Sequence, residues 1–151
     1  MMRVLIAAVG RARQGPIKEL YDEYTRRLPW PVTLKEISAD KGRRAPERMK
    51  REAEALGAAA QGATMVCLDA AGKALSSEAF ATKIEDWTGR SADLAFLIGG
   101  PDGLDEALLR RADFALSLGP MTWPHLLARA MLAEQLYRAS SILAGHPYHR
   151  E

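Results

Sequence analysis

Three stretches of the chain, RVLIAAVG at 3–10, TMVCLDA at 64–70 and DLAFLIGG at 93–100, are apolar without alternation. A strand with one face in water alternates polar and apolar side chains. Continuous runs therefore belong to strands buried on both faces, as in a parallel sheet covered by helices. VTLKEIS at 32–38 alternates more and is expected near a sheet edge, and DFALSLGP at 113–120 reads as a further strand.

Helical periodicity fills the intervals, over 16–28, 46–61, 76–88, a short 105–112 and a long 124–145. Pro46, Ser76 or Ser77, and Pro124 stand where a helix start favours proline or a capping hydroxyl. The alternation predicts an open α/β fold with a mainly parallel sheet of five to six strands and helices on both faces. At 151 residues and 48% hydrophobic, the chain has the material for a single domain spanning 1–151. The last helix is apolar over more than one stripe (Leu126, Leu127, Ala130, Met131, Leu132, Ala133, Leu136, Tyr137, Ile142, Leu143). It is thus expected to pack on the sheet and on a second body, for which a homodimer partner is the economical choice.

Several classes are excluded early. The apolar run before Gly10 is too short for a signal peptide or a bilayer span, which predicts a soluble, cytoplasmic protein without membrane contact. Cys67, the one cysteine, has no partner within the chain and is expected to be a buried structural thiol. No G-x-G-x-x-G follows the first run and no G-x-x-x-x-G-K-[ST] occurs, which disfavours dinucleotide and P-loop sites. The net charge is only +2, yet residues 35–51 hold seven basic side chains against three acids. That segment is either a solvated helix face or a footprint for a phosphate backbone.

Ligands of open α/β sheets bind beyond the carboxyl ends of the strands. Two segments there invite a ligand: LIGGPDGL at 97–104, whose glycines let backbone approach closely, and SLGPMTWPH at 117–125, a proline-stiffened loop with apolar Met121 and Trp123. Each is also explicable as an ordinary turn or packed connection. The last six residues, HPYHRE, carry two of the three histidines. The spacing of His146 and His149 invites a zinc reading, but Pro147 between them and the lack of further ligands predict no metal.

Taken together, LDAAGK (68–73), LIGGPDGL (97–104), MTWPHLLAR (121–129), EQLYRA (134–139) and the terminal HPYHRE resemble, in order and spacing, the RlmH family of SPOUT-class methyltransferases, over essentially the whole chain. The resemblance implies a C-terminal deep trefoil knot, a homodimer, and S-adenosylmethionine-dependent methylation of N3 of a pseudouridine in large-subunit rRNA within the assembled ribosome. It places the cofactor against Leu68, Asp69, Gly100, Gly119, Pro120, Met121, Thr122, Trp123 and Pro124. Trp123 departs from the aliphatic residue expected there.

For the transfer itself the candidates are His149 as base or base-edge partner, Tyr148 as a stacking or hydrogen-bonding group, Arg150 as a phosphate contact, and His125 as an alternative base. Arg138 and His146 are candidates for substrate or partner-subunit contact, although Arg138 stands four residues from Glu134 and can simply pair with it. Two other readings compete: an RNA- or ribosome-associated binding protein without catalysis, and another nucleotide-using enzyme such as a hydrolase. The second lacks a nucleophile elbow, a P-loop or clustered carboxylates.

Overall fold

A computed structural model describes residues 2–39, 42–90 and 93–150. Asp40 and Lys41 of the basic segment and Glu151 of the tail lie outside the described residues. The elements alternate as expected: β1 Arg3–Val9, α1 Pro16–Arg27, β2 Val32–Ile37, α2 Ala45–Ala59, β3 Thr64–Ala74, α3 Ser77–Arg90, β4 Asp93–Ile98, α4 Glu106–Arg111, β5 Phe114–Ser117 and α5 His125–Ala144. The strands form one five-stranded sheet in the order β2-β1-β4-β3-β5, with every pairing parallel. The alternating VTLKEIS lies on an edge strand, where one side of the ladder meets solvent.

Period-2 side-chain alternation divides the sheet between two cores. Val4, Ile6 and Ala8 of β1 point with Leu94, Phe96 and Ile98 of β4 to one face, where Tyr21, Phe80, Ile84, Trp87, Leu132 and Leu136 cover them. Ala7, Val9, Ala95, Leu97 and Cys67 point to the other, under Leu56 of α2 and Leu108 of α4. The first face carries three helices, with α5 packed against both α1 and α3. This changes the reading of α5. Its buried positions, Ala128–Ala130, Leu132, Ala133, Leu136 and Ala139–Ser141, run around much of the helix because the sheet, α1 and α3 all touch it within the chain. The broad apolar surface is largely consumed internally and does not by itself call for a second subunit.

Local chemistry explains the element ends. The Ser76 hydroxyl accepts the Ala79 amide (3.1 Å), Asp105 accepts the Ala107 amide (3.2 Å), and Gly145 closes α5 at φ 71° with the His146 amide reaching the Ser141 carbonyl (2.8 Å).

Two irregularities shape the carboxyl edge of the sheet. In β3 both Leu68 and Lys73 pair with Leu116 of β5, so residues 69–72 bulge out before the strand resumes. Gly72 is required there: a Cβ would lie 2.6 Å from the Ala115 carbonyl oxygen. The second is the connection 118–124. It leaves β5 at the sheet edge, yet α5 begins over β1, where His125 and Arg129 pack on Gly10. With strands about 4.8 Å apart, the loop covers three intervals, about 14 Å, past the ends of β3 and β4. Among the described residues no helix is long and apolar enough to cross a membrane.

Candidate functional site

The crossing loop, the bulge and the glycine turn meet at neighbouring strand ends. Buried Ser117 ties two of them: its hydroxyl lies 3.0 Å from the Ala70 carbonyl of the bulge and accepts the Gly119 amide at 3.0 Å. Gly119 takes φ 111°, a left-handed conformation costly for any residue with a Cβ. The loop then folds on itself, the Trp123 indole N–H donating to the Leu118 carbonyl (3.3 Å), while Met121 is 70% exposed. At the end of β4 the Gly103 amide donates to the Gly100 carbonyl (2.9 Å), and a Cβ on Gly99 would lie 2.6 Å from the Gly103 backbone. Arg48 of α2 pairs with Asp102 in this turn.

The residues expected at a cofactor pocket are thus brought to one edge but are not equally open. Leu68 packs against the core, Asp69 is half-buried, Gly100 is buried beside Val9, and Pro120, Met121, Thr122, Trp123 and Pro124 are exposed. Only Gly119 of the set also lines an open cleft of about 530 Å³ between the start of α3, the end of β5, α1 and α5. Leu20, Leu75, Met131, Ser77 and Gln135 contribute to its walls.

His125 sits at the far end of the loop. Burial, reinforced by the Arg129 charge, holds its imidazole below the ordinary histidine value, so it is neutral at pH 7. Arg129, 2% exposed, was not singled out from sequence. Its guanidinium donates to the Val9 and Gly10 carbonyls (3.1 and 2.8 Å) and to Glu36 (2.8 Å), whose carboxylate also accepts the Ala12 amide at 2.6 Å. Burial pushes the Glu36 carboxyl up, but the Ala12 amide and the Arg129 guanidinium outweigh it, leaving the group below the usual range. An arginine at a 3.6-period core position of an otherwise apolar helix was the available signal.

The tail is docked, not frayed. The Tyr148 hydroxyl donates to Glu134 (3.0 Å) and lies 3.4 Å from the Tyr24 hydroxyl, and its ring stands edge-on to Tyr137 with centroids 4.7 Å apart. Burial, together with the Tyr24 and Glu134 contacts, pushes the Tyr148 phenol above its ordinary value, so it serves as a donor and not as a base. Arg138 donates twice to Glu134 (3.0 and 2.6 Å), lies over the Tyr148 ring at 4.9 Å, and donates to His149 Nδ1 at 3.2 Å. His149 Nε2 stands 2.6 Å from the Glu78 carboxylate. The expected Arg138–Glu134 pair is therefore real and also forms the floor for the tail. His146 Nδ1 accepts the Tyr148 amide (3.2 Å), and Arg150 is exposed. The two tail histidines use their nitrogens in separate hydrogen bonds, and no metal-ligand group of three or more acidic, His or Cys side chains occurs among the described residues. Cys67 is buried, which pushes its thiol up to about 12.

Comparison with known proteins agrees with this architecture. A family model described as "Predicted SPOUT methyltransferase" matches residues 2–149. The ribosomal RNA large subunit methyltransferase H of Rhodospirillum centenum is 59% identical over 152 aligned positions, covering 99% of each chain. Among solved structures, a probable methylase family protein from Haemophilus influenzae superposes with TM-score 0.62 at 12% identity, over 99% of this chain and 71% of that one. A putative methyltransferase from Legionella pneumophila, solved with its cofactor SAM bound, gives 0.55 at 14% identity, over 91% of this chain and 66% of that one. The last two likenesses speak to the fold. The full-length family match and the close relative make this chain a member of the SPOUT methyltransferase family.

Proposed function

We propose that the protein transfers the methyl group of S-adenosylmethionine to N3 of a pseudouridine in large-subunit rRNA, working on the assembled ribosome in the cytoplasm as a homodimer of single-domain, trefoil-knotted chains. The observation that carries the reading is the meeting of three segments, 68–72, 99–103 and 118–124, at adjacent strand ends, and it is supported by the 59% identity to a relative named as an rRNA large subunit methyltransferase. The long crossing of 118–124 past the β3 and β4 ends supports the knot, and exposed Ile17 and Leu20 on α1 offer apolar surface to a second subunit.

The residues present fit the cofactor. Exposed Met121 and Trp123 give apolar surface for an adenine, the turned backbone at Gly100 and Gly119 to Pro124 gives carbonyls and amides to its edge, and half-buried Asp69 with Leu68 closes the β3 side. When bound, the cofactor supplies an electrophilic methyl carbon on a sulfonium. The acceptor nitrogen would take that methyl group and give up its N3 proton to solvent or to a side chain.

The chain's own task is alignment, which is where most of the rate arises in a transfer with a pre-activated donor. Tyr148 is a phenol donor beside the base, Arg150 and Arg138 are cations for a phosphate or the partner subunit, and neutral His125 can take a proton at the loop's far end. His149 Nδ1 accepts from Arg138 and its Nε2–H donates to Glu78, so as docked it grips and does not abstract.

The test is truncation after His146, which keeps the amide that closes α5. The shortened chain is expected to fold and bind S-adenosylmethionine by calorimetry, with methylation of ribosomes reduced about 100-fold, the scale of lost substrate positioning. Full activity without residues 147–151 would overturn the role given to the tail. A chain that never binds the cofactor would instead favour an RNA-binding protein without catalysis.

A further inference from the structure

His149 of the tail is not free, and what holds it lies on an element that the motif-bearing segments do not include. Glu78 is in the first turn of α3, 71 residues from His149 in sequence, and its carboxylate meets Nε2 at 2.6 Å. On the opposite side of the ring Arg138 stands 3.2 Å from Nδ1. A guanidinium can only donate, so Nδ1 must accept, and the proton of the neutral ring is then on Nε2, pointing at the carboxylate. One tautomer and one ring orientation satisfy both contacts.

The turn that carries Glu78 is itself fixed. Ser76 caps α3, and the Ser77 hydroxyl donates to the Gln135 side-chain oxygen of α5 at 2.8 Å, next to the Glu134 that takes Tyr148. Ser76 and Ser77 also line the cleft shared with Gly119. A single rigid turn therefore borders the cleft on one side and holds the tail on the other. The Glu78 side chain remains 45% exposed, while the His149 ring is 16% exposed. A partly exposed hydrogen bond of this kind adds little to stability, so its geometry matters more than its energy.

We propose that Glu78 is a positioning residue for the methyl transfer: by holding His149 Nε2–H opposite Arg138, it fixes the path of residues 146–150 so that Tyr148 and Arg150 meet the substrate in one orientation. This rests on the methyltransferase reading above. Glu78 touches neither cofactor nor acceptor base, and it acts through His149.

The variants Glu78→Ala and Glu78→Gln separate this from a structural role, because glutamine keeps an acceptor oxygen for Nε2–H and alanine does not. Glu78→Ala is expected to lower kcat on ribosomes about three- to ten-fold, the scale of one partly exposed hydrogen bond to a charged group, with S-adenosylmethionine affinity within about two-fold and melting unchanged. Glu78→Gln is expected to recover to within about two-fold. In nitrogen-edited spectra of the histidine rings, the His149 Nε2–H signal is expected in the parent and in Glu78→Gln and absent in Glu78→Ala. Activity of Glu78→Ala within two-fold of the parent, or an Nε2–H signal indifferent to both substitutions, overturns the proposal. If the parent chain methylates no ribosome, the methyltransferase reading fails, and the Nε2–H signal alone then decides whether Glu78 holds the tail.

Discussion

Replacing Arg129 tests how the start of α5 is anchored over β1. In the folded protein its guanidinium makes three hydrogen bonds, to the Val9 and Gly10 carbonyls and to Glu36, and it is 2% exposed. Breaking a fully buried ion pair costs about 3–5 kcal/mol, but the Glu36 side chain is 32% exposed and can take up water. Discounting for that, Arg129→Ala is expected to cost about 2–3 kcal/mol, from the emptied volume and two abandoned strand-end carbonyls. Arg129→Met fills most of the volume and is expected to cost about 1–2 kcal/mol. At about 2–4 °C per kcal/mol for a domain of this size, the alanine variant melts about 4–12 °C lower. Urea unfolding with an unchanged slope gives the free energies directly. Because the 118–124 loop hangs between β5 and this anchor, S-adenosylmethionine affinity should fall with it. A loss below about 1 kcal/mol for alanine, or equal losses for alanine and methionine, refutes the reasoning.

Gly72→Ala should destabilise more than Gly103→Ala, since a Cβ at 72 collides with the Ala115 backbone whereas at 103 there is open space and only the φ of 81° resists, worth about 1 kcal/mol; thermal melts of the two variants rank them. Cys67, with its thiol pushed up to about 12 by burial, should resist thiol reagents at pH 8 in native protein and react once urea unfolds it. The His125 imidazole should titrate below its ordinary value of 6.5 by NMR. Its folded-state value lies under the unfolded one, so the stability linked to its neutral form is present above that ordinary value and declines as pH falls through it; His125→Gln should flatten this part of the stability–pH curve.

The three interior strands were readable from sequence because strands buried on both faces must be apolar throughout, and each of the three continuous runs became one of them, with 32–38 and 113–120 supplying the two edges. The edge position of VTLKEIS followed from its alternation for the same reason. What sequence could not supply was anything fixed by long-range pairing. TMVCLDA reads as a strand that ends at Ala70, but β3 bulges over 69–72 and resumes at Lys73, which pairs with the same Leu116 as Leu68 does. The breadth of the apolar surface on α5 pointed to a second chain, yet α1 and α3 of the same chain flank it, a fact of helix placement that periodicity does not encode. In the site, the tail residues were visible as unusual composition. Their holders, Tyr24, Glu78 and Glu134, lie on three different helices, and the sequence separation from His149 to Glu78 carries no local signal. Ser117 likewise has no pattern of its own and matters only because strand order puts Ala70 beside it.

The most direct test of the central claim is mass spectrometry of large-subunit rRNA after ribosomes lacking the modification are incubated with the purified protein and S-adenosylmethionine carrying a deuterated methyl group. The account predicts one labelled methyl per ribosome, on N3 of a pseudouridine, with an equal amount of S-adenosylhomocysteine formed. Ribosomes that leave the incubation without label, although the protein is folded and the cofactor is bound, would contradict it.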